Sequence, residues 1–185
     1  YQRVIQSITF DNTSQNPSTV DRIIEVTVND GLMDSNVATT TVNVIAVNDA
    51  PSPGADRIVT NFVNNQAFTL PDWVFLNNDS DVDSTPLVIS GVSAATNLTV
   101  TRSDGSITIT DTGLTNGGSF TYTVGDGQTT RTGNVSVVRD PTAPISGGNG
   151  SDILVGNDAN SALEGGLGDD LIFAGGGNDT VNWSA

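Results

Sequence analysis

Apolar and polar residues alternate with a period of two along most of the chain, which predicts β-strands. In the first fifty residues the pattern predicts three strands, at 3–10, 22–28 and 37–47, rich in Val, Ile and Thr. Turn-forming residues separate eight further apolar stretches: 58–59, 68–70, 73–76, 87–92, 98–101, 106–110, 119–124 and 134–138. No helical period accompanies them, so residues 51–140 are predicted to form a complete β-sandwich.

The first fifty residues share a frame with the end of that sandwich. VTVNDG at 26–31 corresponds to YTVGDG at 122–127, and VNVIAVNDAP at 42–51 corresponds to NVSVVRDP at 134–141. Residues 1–50 are therefore predicted to be the C-terminal half of the same kind of domain. Three strands cannot bury a core alone, so we expect this chain to be part of a longer one. Strands donated by another copy of the chain are an alternative.

Residues 141–185 are rich in Gly and follow a nine-residue period. The repeats read GGNGSDILV (147–155), GNDANSALE (156–164), GGLGDDLIF (165–173) and AGGGNDTVN (174–182). The eighth position is apolar in all four, and we expect these side chains to form a core: Leu154, Leu163, Ile172 and Val181. A flexible Gly-rich linker is the alternative interpretation.

The charge of the chain narrows the possible functions. The net charge is −15, with 19 Asp, two Glu, six Arg and no Lys, His or Cys. This balance argues against binding to nucleic acid or an anionic membrane surface, and no apolar run is long enough for membrane insertion. Without imidazole, thiol or amine side chains, the chain is poorly equipped for catalysis. Asp in Gly-rich turns suits hard-cation binding, although the charge could serve solubility alone.

The four repeats resemble the calcium-binding nonapeptides of RTX (repeats-in-toxin) proteins, G-G-x-G-x-D-x-U-x, where U is a large apolar residue. The resemblance implies a parallel β-roll in which alternate turns share Ca²⁺. Asp152 and Asp170 would form the first pair, together with the turn glycines Gly147, Gly150, Gly165 and Gly168. Asp179 would pair with Ser161, which replaces the Asp of the pattern, and Asp158 is the candidate substitute.

A second acidic cluster, DSDVD at 79–83, does not fit an EF-hand loop because Ser84 and Ser90 stand where Gly and Glu are needed. Its surroundings, LPDWVFLNNDSDVDSTPL with VGDG downstream and VNDAP upstream, resemble the cadherin-like repeats of large bacterial surface and exported proteins. The resemblance implies calcium sites between modules, with these ligands: Asn48 and Asp49 in the linker, Asp79, Asp81, Asp83 and Asp126 in one module, and Asp11 or Asp21 in the preceding one. Ordinary turns are the alternative interpretation of these residues.

The predicted fold class is all-β, with cadherin/Ig-like β-sandwich modules at 1–50 and 51–140 followed by a short parallel β-roll at 141–185. The resemblances imply a non-enzymatic, calcium-binding structural or adhesive segment of a protein exported by type I secretion, extracellular or on the bacterial cell surface. Expected partners are adjacent modules of the same chain, polysaccharide, or like copies in a fibre. The alternatives are a lectin-like module and the non-catalytic tail of a secreted hydrolase.

Overall fold

The computed structural model of the protein describes residues 9–63, 65–83, 86–112 and 117–183. These residues are mostly β-strands and connecting turns, with one 3-10 turn, Asp72–Val74, so the all-β prediction is confirmed. The described residues include no helix of the length and hydropathy needed to cross a membrane. The chain divides into two compact units, Tyr1–Asp49 and Ala50–Ala185.

In the first unit, the described residues form a two-stranded antiparallel sheet. Strands β1 (Arg22–Val26) and β2 (Ala38–Val42) pair with Arg22 opposite Val42. Both lie inside predicted strands but are shorter. The predicted strand at 3–10 falls outside the described residues, except for Thr9 and Phe10, which are in no strand. A two-stranded sheet offers little cover for its apolar side chains, and Ile23 is 69% exposed.

The second unit begins with seven strands that form a sandwich. They are β3 (Ala55–Thr60), β4 (Ala67–Pro71), β5 (Val88–Thr96), β6 (Leu98–Ser103), β7 (Ser106–Asp111), β8 (Gly117–Gly125) and β9 (Thr130–Arg139). One sheet has the order β4-β7-β6, and the other contains β3-β9-β8-β5. Phe75, Phe120, Tyr122, Ile107 and Ile109 are buried between them. The stretch 73–76, predicted as a strand, is instead the 3-10 turn and the turn after it, although Val74 and Phe75 are buried as expected.

The repeats that follow form five short strands, which we call the coil. They are β10 (Ile145–Asn149), β11 (Ile153–Val155), β12 (Ala162–Leu167), β13 (Leu171–Phe173) and β14 (Thr180–Asn182). All pairings within the coil are parallel and join residues 18 apart, as in Ile145 with Leu163 and Ile153 with Leu171. Two nonapeptides therefore make one turn of the coil.

The coil has a small apolar core that differs from the predicted one in two ways. Leu154 and Leu163 are fully buried and Ile172 packs against them, as predicted. Val181 is 47% exposed, so its prediction as a core residue is wrong; β14 pairs with β12 alone among the described strands. The core also includes Ile145 and Val59, and Val59 comes from the sandwich rather than from a repeat.

Strand β3 belongs to both the sandwich and the coil. It pairs in parallel with β9 on one side and with β11 on the other, which extends the larger sheet to the order β13-β11-β3-β9-β8-β5. Because side chains alternate between the faces of a strand, Ile58 packs in the sandwich core and Val59 in the coil core. The sandwich and the coil therefore share a sheet, while the boundary drawn between them at residue 141 stays a prediction.

Polar contacts reinforce this shared sheet. Thr60 Oγ1 donates a buried hydrogen bond of 2.7 Å to the Val155 carbonyl. Just after β3, Asn61 accepts a hydrogen bond from the Asn157 N–H and donates one to Ser161 Oγ, at 2.8 and 3.1 Å. Residues 58–61 thus contact the coil or the sandwich core through buried groups or hydrogen bonds, so the coil is expected to fold against β3 of the sandwich.

Truncating Val59 tests this packing. We expect Val59→Ala to lower the free energy of unfolding of the second unit by about 1–3 kcal/mol, because it removes two buried methyl groups from a small core. The exposed strand residue Val88 provides a matched control, and Val88→Ala should change stability by less than about 0.5 kcal/mol. Denaturant unfolding followed by circular dichroism measures both. Equal effects of the two substitutions would contradict the packing of the coil on β3.

Candidate metal centre

The coil brings Asp152 and Asp170 together as predicted. Asp152 directly precedes β11 and Asp170 directly precedes β13, so parallel pairing stacks one above the other. The backbone N–H of Asp152 donates to Asp170 Oδ1 at 2.9 Å, and the Leu171 N–H donates to the Asp152 carbonyl at 2.8 Å. Both aspartates are buried. Carboxylates of successive turns therefore line the same side of the coil.

The predicted turn glycines have two different roles. At Gly147 and Gly165 a side chain would collide with the aspartates: a Cβ at Gly165 would lie 2.5 Å from Asp170 Oδ2, and one at Gly147 would lie 2.9 Å from Asp152 Oδ2. Gly150 and Gly168 instead adopt φ values of +100° and +126°, which favour glycine. Glycine is thus needed at 147 and 165 to leave room for the carboxylates, and at 150 and 168 to allow the positive φ of the tight turns.

Asp152 has a partner that the sequence did not indicate. The guanidinium of Arg57, on β3, donates from NH1 to Asp152 Oδ1 and to the Gly147 carbonyl, both at 2.7 Å. Burial raises the pKa of Asp152, and the hydrogen bond and charge of Arg57 oppose that shift. The second oxygen, Asp152 Oδ2, is buried without a hydrogen-bond partner. A buried carboxylate oxygen next to glycine carbonyls fits the oxygen ligands that Ca²⁺ prefers.

The other side of the coil repeats the arrangement with one change. The Ser161 N–H donates to Asp179 Oδ1 at 2.8 Å, so these predicted partners also stack. The hydroxyl of Ser161 donates to the Ala159 carbonyl and accepts from Asn61 of the sandwich. Asp158 is exposed and lies in the turn, where Oδ1 is 3.2 Å from the position of a Cβ on Gly176. A calcium-binding role for Asp158 stays a prediction.

The candidate ligands of the sandwich, at 79–83 and at Asp126, hydrogen-bond either to buried groups or within their own turns. Asp79 accepts from the Gly54 N–H at 2.8 Å, and the Tyr122 hydroxyl lies 2.9 and 3.0 Å from its two oxygens. Asp81 Oδ1 accepts from the Asp83 N–H at 2.8 Å, while Asp81 Oδ2 is buried without a hydrogen-bond partner. Asp126 accepts from the N–H groups of Gln128 and Thr129 within its own hairpin turn. These contacts account for Asp79 and Asp126 structurally, and their role as ligands stays a prediction.

The remaining candidate ligands, in the linker and in the preceding module, belong to the first unit. Asp21 Oδ1 accepts from Asn43 Nδ2 at 2.5 Å, Asn48 Nδ2 donates to the Asp49 carbonyl at 2.7 Å, and Asp11 is exposed. Because the candidate ligands at 79–83 lie in the second unit, an ion shared between modules stays a prediction. Across the described residues, no three Asp, Glu, His or Cys side chains converge in a group that could hold a metal ion. Backbone and amide oxygens would have to complete any site.

Asp56 is a buried carboxylate that the sequence analysis missed. It lies on β3, is 5% exposed, and has no hydrogen-bond partner at Oδ2 among the described residues. Burial, with a smaller contribution from the charge of Asp79, raises the pKa of Asp56 to about 7, against the lowering effect of Tyr122 and Asn78. The signal available in the sequence was weak: an acidic residue inside a strand pattern, next to the apolar pair Ile58 and Val59.

The raised pKa of Asp56 predicts a pH dependence of stability in calcium-free protein. The folded-state pKa of about 7 lies above the ordinary value of 3.8. The contribution of Asp56 to the free energy of unfolding is therefore fully present below pH 4 and is lost as the pH rises through 7. Because Asn does not ionise, Asp56→Asn should abolish this decrease, which amounts to up to about 4 kcal/mol. Urea unfolding in chelator from pH 4 to 8 measures the slopes, and Asp104→Asn on an exposed hairpin is the control. Parallel slopes for Asp56→Asn and the parent protein would contradict the assignment.

Similar solved structures show weak likenesses. Two endo-fucoidan hydrolases of glycoside hydrolase family 107 share 20% and 15% sequence identity with this chain, at TM-scores of 0.35 and 0.32, over 66% and 65% of its length. The chain spans only 19% and 22% of those proteins. A chimeric titin Z1Z2 shares 12% identity at a TM-score of 0.26, over 51% of this chain and 97% of that one. Among curated proteins, none matches significantly.

Two family models match the chain in the predicted order. The model of the cadherin-like domain matches residues 47–138, and the model of the RTX calcium-binding nonapeptide repeat, in four copies, matches residues 146–181. Both models describe structural or calcium-binding repeats, which fit a segment without catalytic chemistry. The chain therefore carries a cadherin-like domain followed by RTX calcium-binding nonapeptide repeats.

Proposed function

We propose that this chain is an extracellular structural segment of a secreted RTX-type protein, and that Ca²⁺ folds its coil and stiffens its modules after export. The observation that carries the proposal is the stacking of Asp152 on Asp170 in glycine turns that leave a buried carboxylate oxygen without a hydrogen-bond partner. A buried carboxylate oxygen without a partner is costly, and Ca²⁺ would coordinate this oxygen when bound.

The residues that would hold the ion follow from the stacking. On one side of the coil they are Asp152, Asp170 and the carbonyls of the surrounding glycine turns. On the other side Asp179 is the carboxylate, since Ser161 has none and already bonds Asn61. The two sides therefore differ in charge, and we expect the Asp152 side to bind Ca²⁺ more tightly because affinity rises with the number of charged ligands.

Binding would be coupled to folding because the apolar core of the coil is small. Its core has four fully buried apolar residues: Val59, Ile145, Leu154 and Leu163. An ion bound only to the folded form stabilises it by RT ln(1 + [L]/Kd), about 1.4 kcal/mol per site at a tenfold excess over Kd. Extracellular modules bind Ca²⁺ with Kd values of roughly 10⁻⁴ to 10⁻³ M, so the coil would fold outside the cell and not in calcium-poor cytosol.

Adjacent modules of the same parent chain are the proposed partners. The loop at 79–83 is the proposed calcium-binding segment of this module. An adhesive role, and assembly with like copies in a fibre, belong to the same proposal. Support comes from the buried, unpartnered Oδ2 of Asp81 in this loop.

Calcium removal tests the proposal. Chelator should reduce the β-sheet circular dichroism of the chain, and added CaCl₂ should restore it. Asp170→Asn should raise the CaCl₂ concentration at the midpoint of recovery roughly tenfold, because it removes one charged ligand. Asp104→Asn leaves the coil untouched and should behave as the parent protein does. A spectrum that is the same with and without chelator would refute calcium-driven folding.

A carbohydrate-binding module is the second candidate, favoured by two exposed tryptophans. Trp73 is 53% exposed and its ring contacts Phe173 at a centroid distance of 6.2 Å, while Trp183 is 63% exposed. Exposed aromatic faces are the surfaces on which sugar rings stack. Binding of the parent protein on a glycan array, with loss of binding in Trp73→Ala, would support this candidate. An array without signal would exclude the glycans it displays.

A further inference from the structure

A small notch lies where the sandwich meets the coil, and we call it the junction notch. Its volume is about 20 Å³, and its polar lining residues are Asp56, Asn77, Asn78, Ser151, Asp152 and Asp169; Val74, Ile153 and Leu171 complete it. A space of this size holds one water-sized particle. The notch shares Asp152 with the glycine turns, and Ser151 and Asp169 lie in the same two repeats, whereas Asp56, Asn77 and Asn78 come from the sandwich.

Strand register explains why polar groups meet here. Ile58, Ile153 and Leu171 are neighbours across β3, β11 and β13. Asp56 lies on β3 two residues before Ile58, and Ser151 and Asp169 lie in the turns two residues before Ile153 and Leu171; all three line the notch. Three residues far apart in the chain therefore form one row.

The base of the notch is the carboxylate of Asp56. Asp56 is only 5% exposed, and its Oδ2 atom has no hydrogen-bond partner among the described residues. Buried carboxylate oxygens are nearly always paired, so an unpaired one that lines a cavity indicates an occupant. Asn77, Asn78, Ser151 and Asp169 are exposed and form the rim, which leaves the notch open to solvent.

The lining selects the kind of occupant. Asp56 and Asp169 repel anions, the amide of Asn77 and the hydroxyl of Ser151 offer neutral oxygens, and the Asn78 side chain hydrogen-bonds Asp56. Among the lining carboxylates, the Arg57 guanidinium binds Asp152 Oδ1, which leaves Asp56 and Asp169 as the carboxylates proposed to hold a cation. Carboxylate, amide and hydroxyl oxygens in an irregular arrangement suit Ca²⁺ better than Mg²⁺, which requires near-octahedral geometry.

We propose that the junction notch is a Ca²⁺ site, additional to the pairing of Asp152 with Asp170 in the glycine turns, that joins the cadherin-like sandwich to the coil. The ion is held at its base by Asp56 of β3 and at its rim by Asp169 of the third repeat, with Asn77 and Asn78 contributed by the loop after the 3-10 turn. It bridges three chain segments that meet at this edge of the shared sheet. This site does not require calcium binding in the glycine turns.

Nuclear magnetic resonance of the full chain, titrated with CaCl₂, tests the site residue by residue. We expect the side-chain amide signals of Asn77 and Asn78 and the backbone signal of Asp169 to shift with CaCl₂. Asp56→Asn and Asp169→Asn should each raise the apparent Kd read from these signals at least about tenfold. MgCl₂ at the same concentrations should shift them less, and Asp104→Asn should titrate as the parent does.

The outcomes separate this site from the proposed function. Shifts at Asn77 and Asn78 that Asp56→Asn abolishes support the notch even if the signals of Gly147 to Gly150 do not move. Shifts confined to the glycine turns, or shifts at Asn77 and Asn78 that persist unchanged in both variants, overturn it and leave water as the occupant. Asp169 is exposed, so Asp169→Asn decides the matter if Asp56→Asn fails to fold.

Discussion

The second unit depends on one strand that is buried on both faces. Strand β3 pairs in parallel with β9 and with β11, and its successive residues Ile58 and Val59 pack into different cores. A strand in the middle of a sheet has no free edge, and the same pairing covers one edge of the coil, where unpaired N–H and C=O groups would otherwise invite association. The sandwich thereby provides a template on which the repeats stack.

The same sheet separates charges that are adjacent in sequence. Asp56 and Arg57 point to opposite faces of β3, so the guanidinium neutralises Asp152 in the coil while Asp56 lies beside Tyr122 and Asp79 in the sandwich. In a chain with 21 acidic and six basic side chains, each buried carboxylate needs hydrogen bonds, a fixed cation or a bound one. Hydrogen bonds stabilise the Asp79 carboxylate, and Arg57 forms an ion pair with Asp152. We place calcium at the buried carboxylate oxygens that have no such partner.

The repeats show how the sandwich compensates for an imperfect pattern. Three repeats have Asp at the sixth position, and the second repeat has Ser161 there instead. The same hydrogen bond, from the N–H at this position to the Asp carboxylate 18 residues later, stacks the first repeat on the third and the second on the fourth. Asn61 contacts Ser161 from just beyond β3. The repeat that departs from the metal-binding pattern is thus stabilised by a hydrogen bond from the sandwich.

The sequence by itself determined the all-β class, most strands of the sandwich and the nine-residue period, because these follow from local alternation and a short repeat. The stacking partners Asp152 with Asp170 and Ser161 with Asp179 followed from the resemblance of that repeat to the RTX nonapeptides. It did not determine the 3-10 turn at 72–74, the exposure of Val181, or the roles of Asp56, Arg57 and Val59. Those depend on which strand lies beside which. The partners of β3 in the coil are about 95 residues away along the chain, as in Arg57 with Asp152, and no local pattern encodes a pairing at that distance. Tertiary structure alone decided it, by burying both faces of one strand.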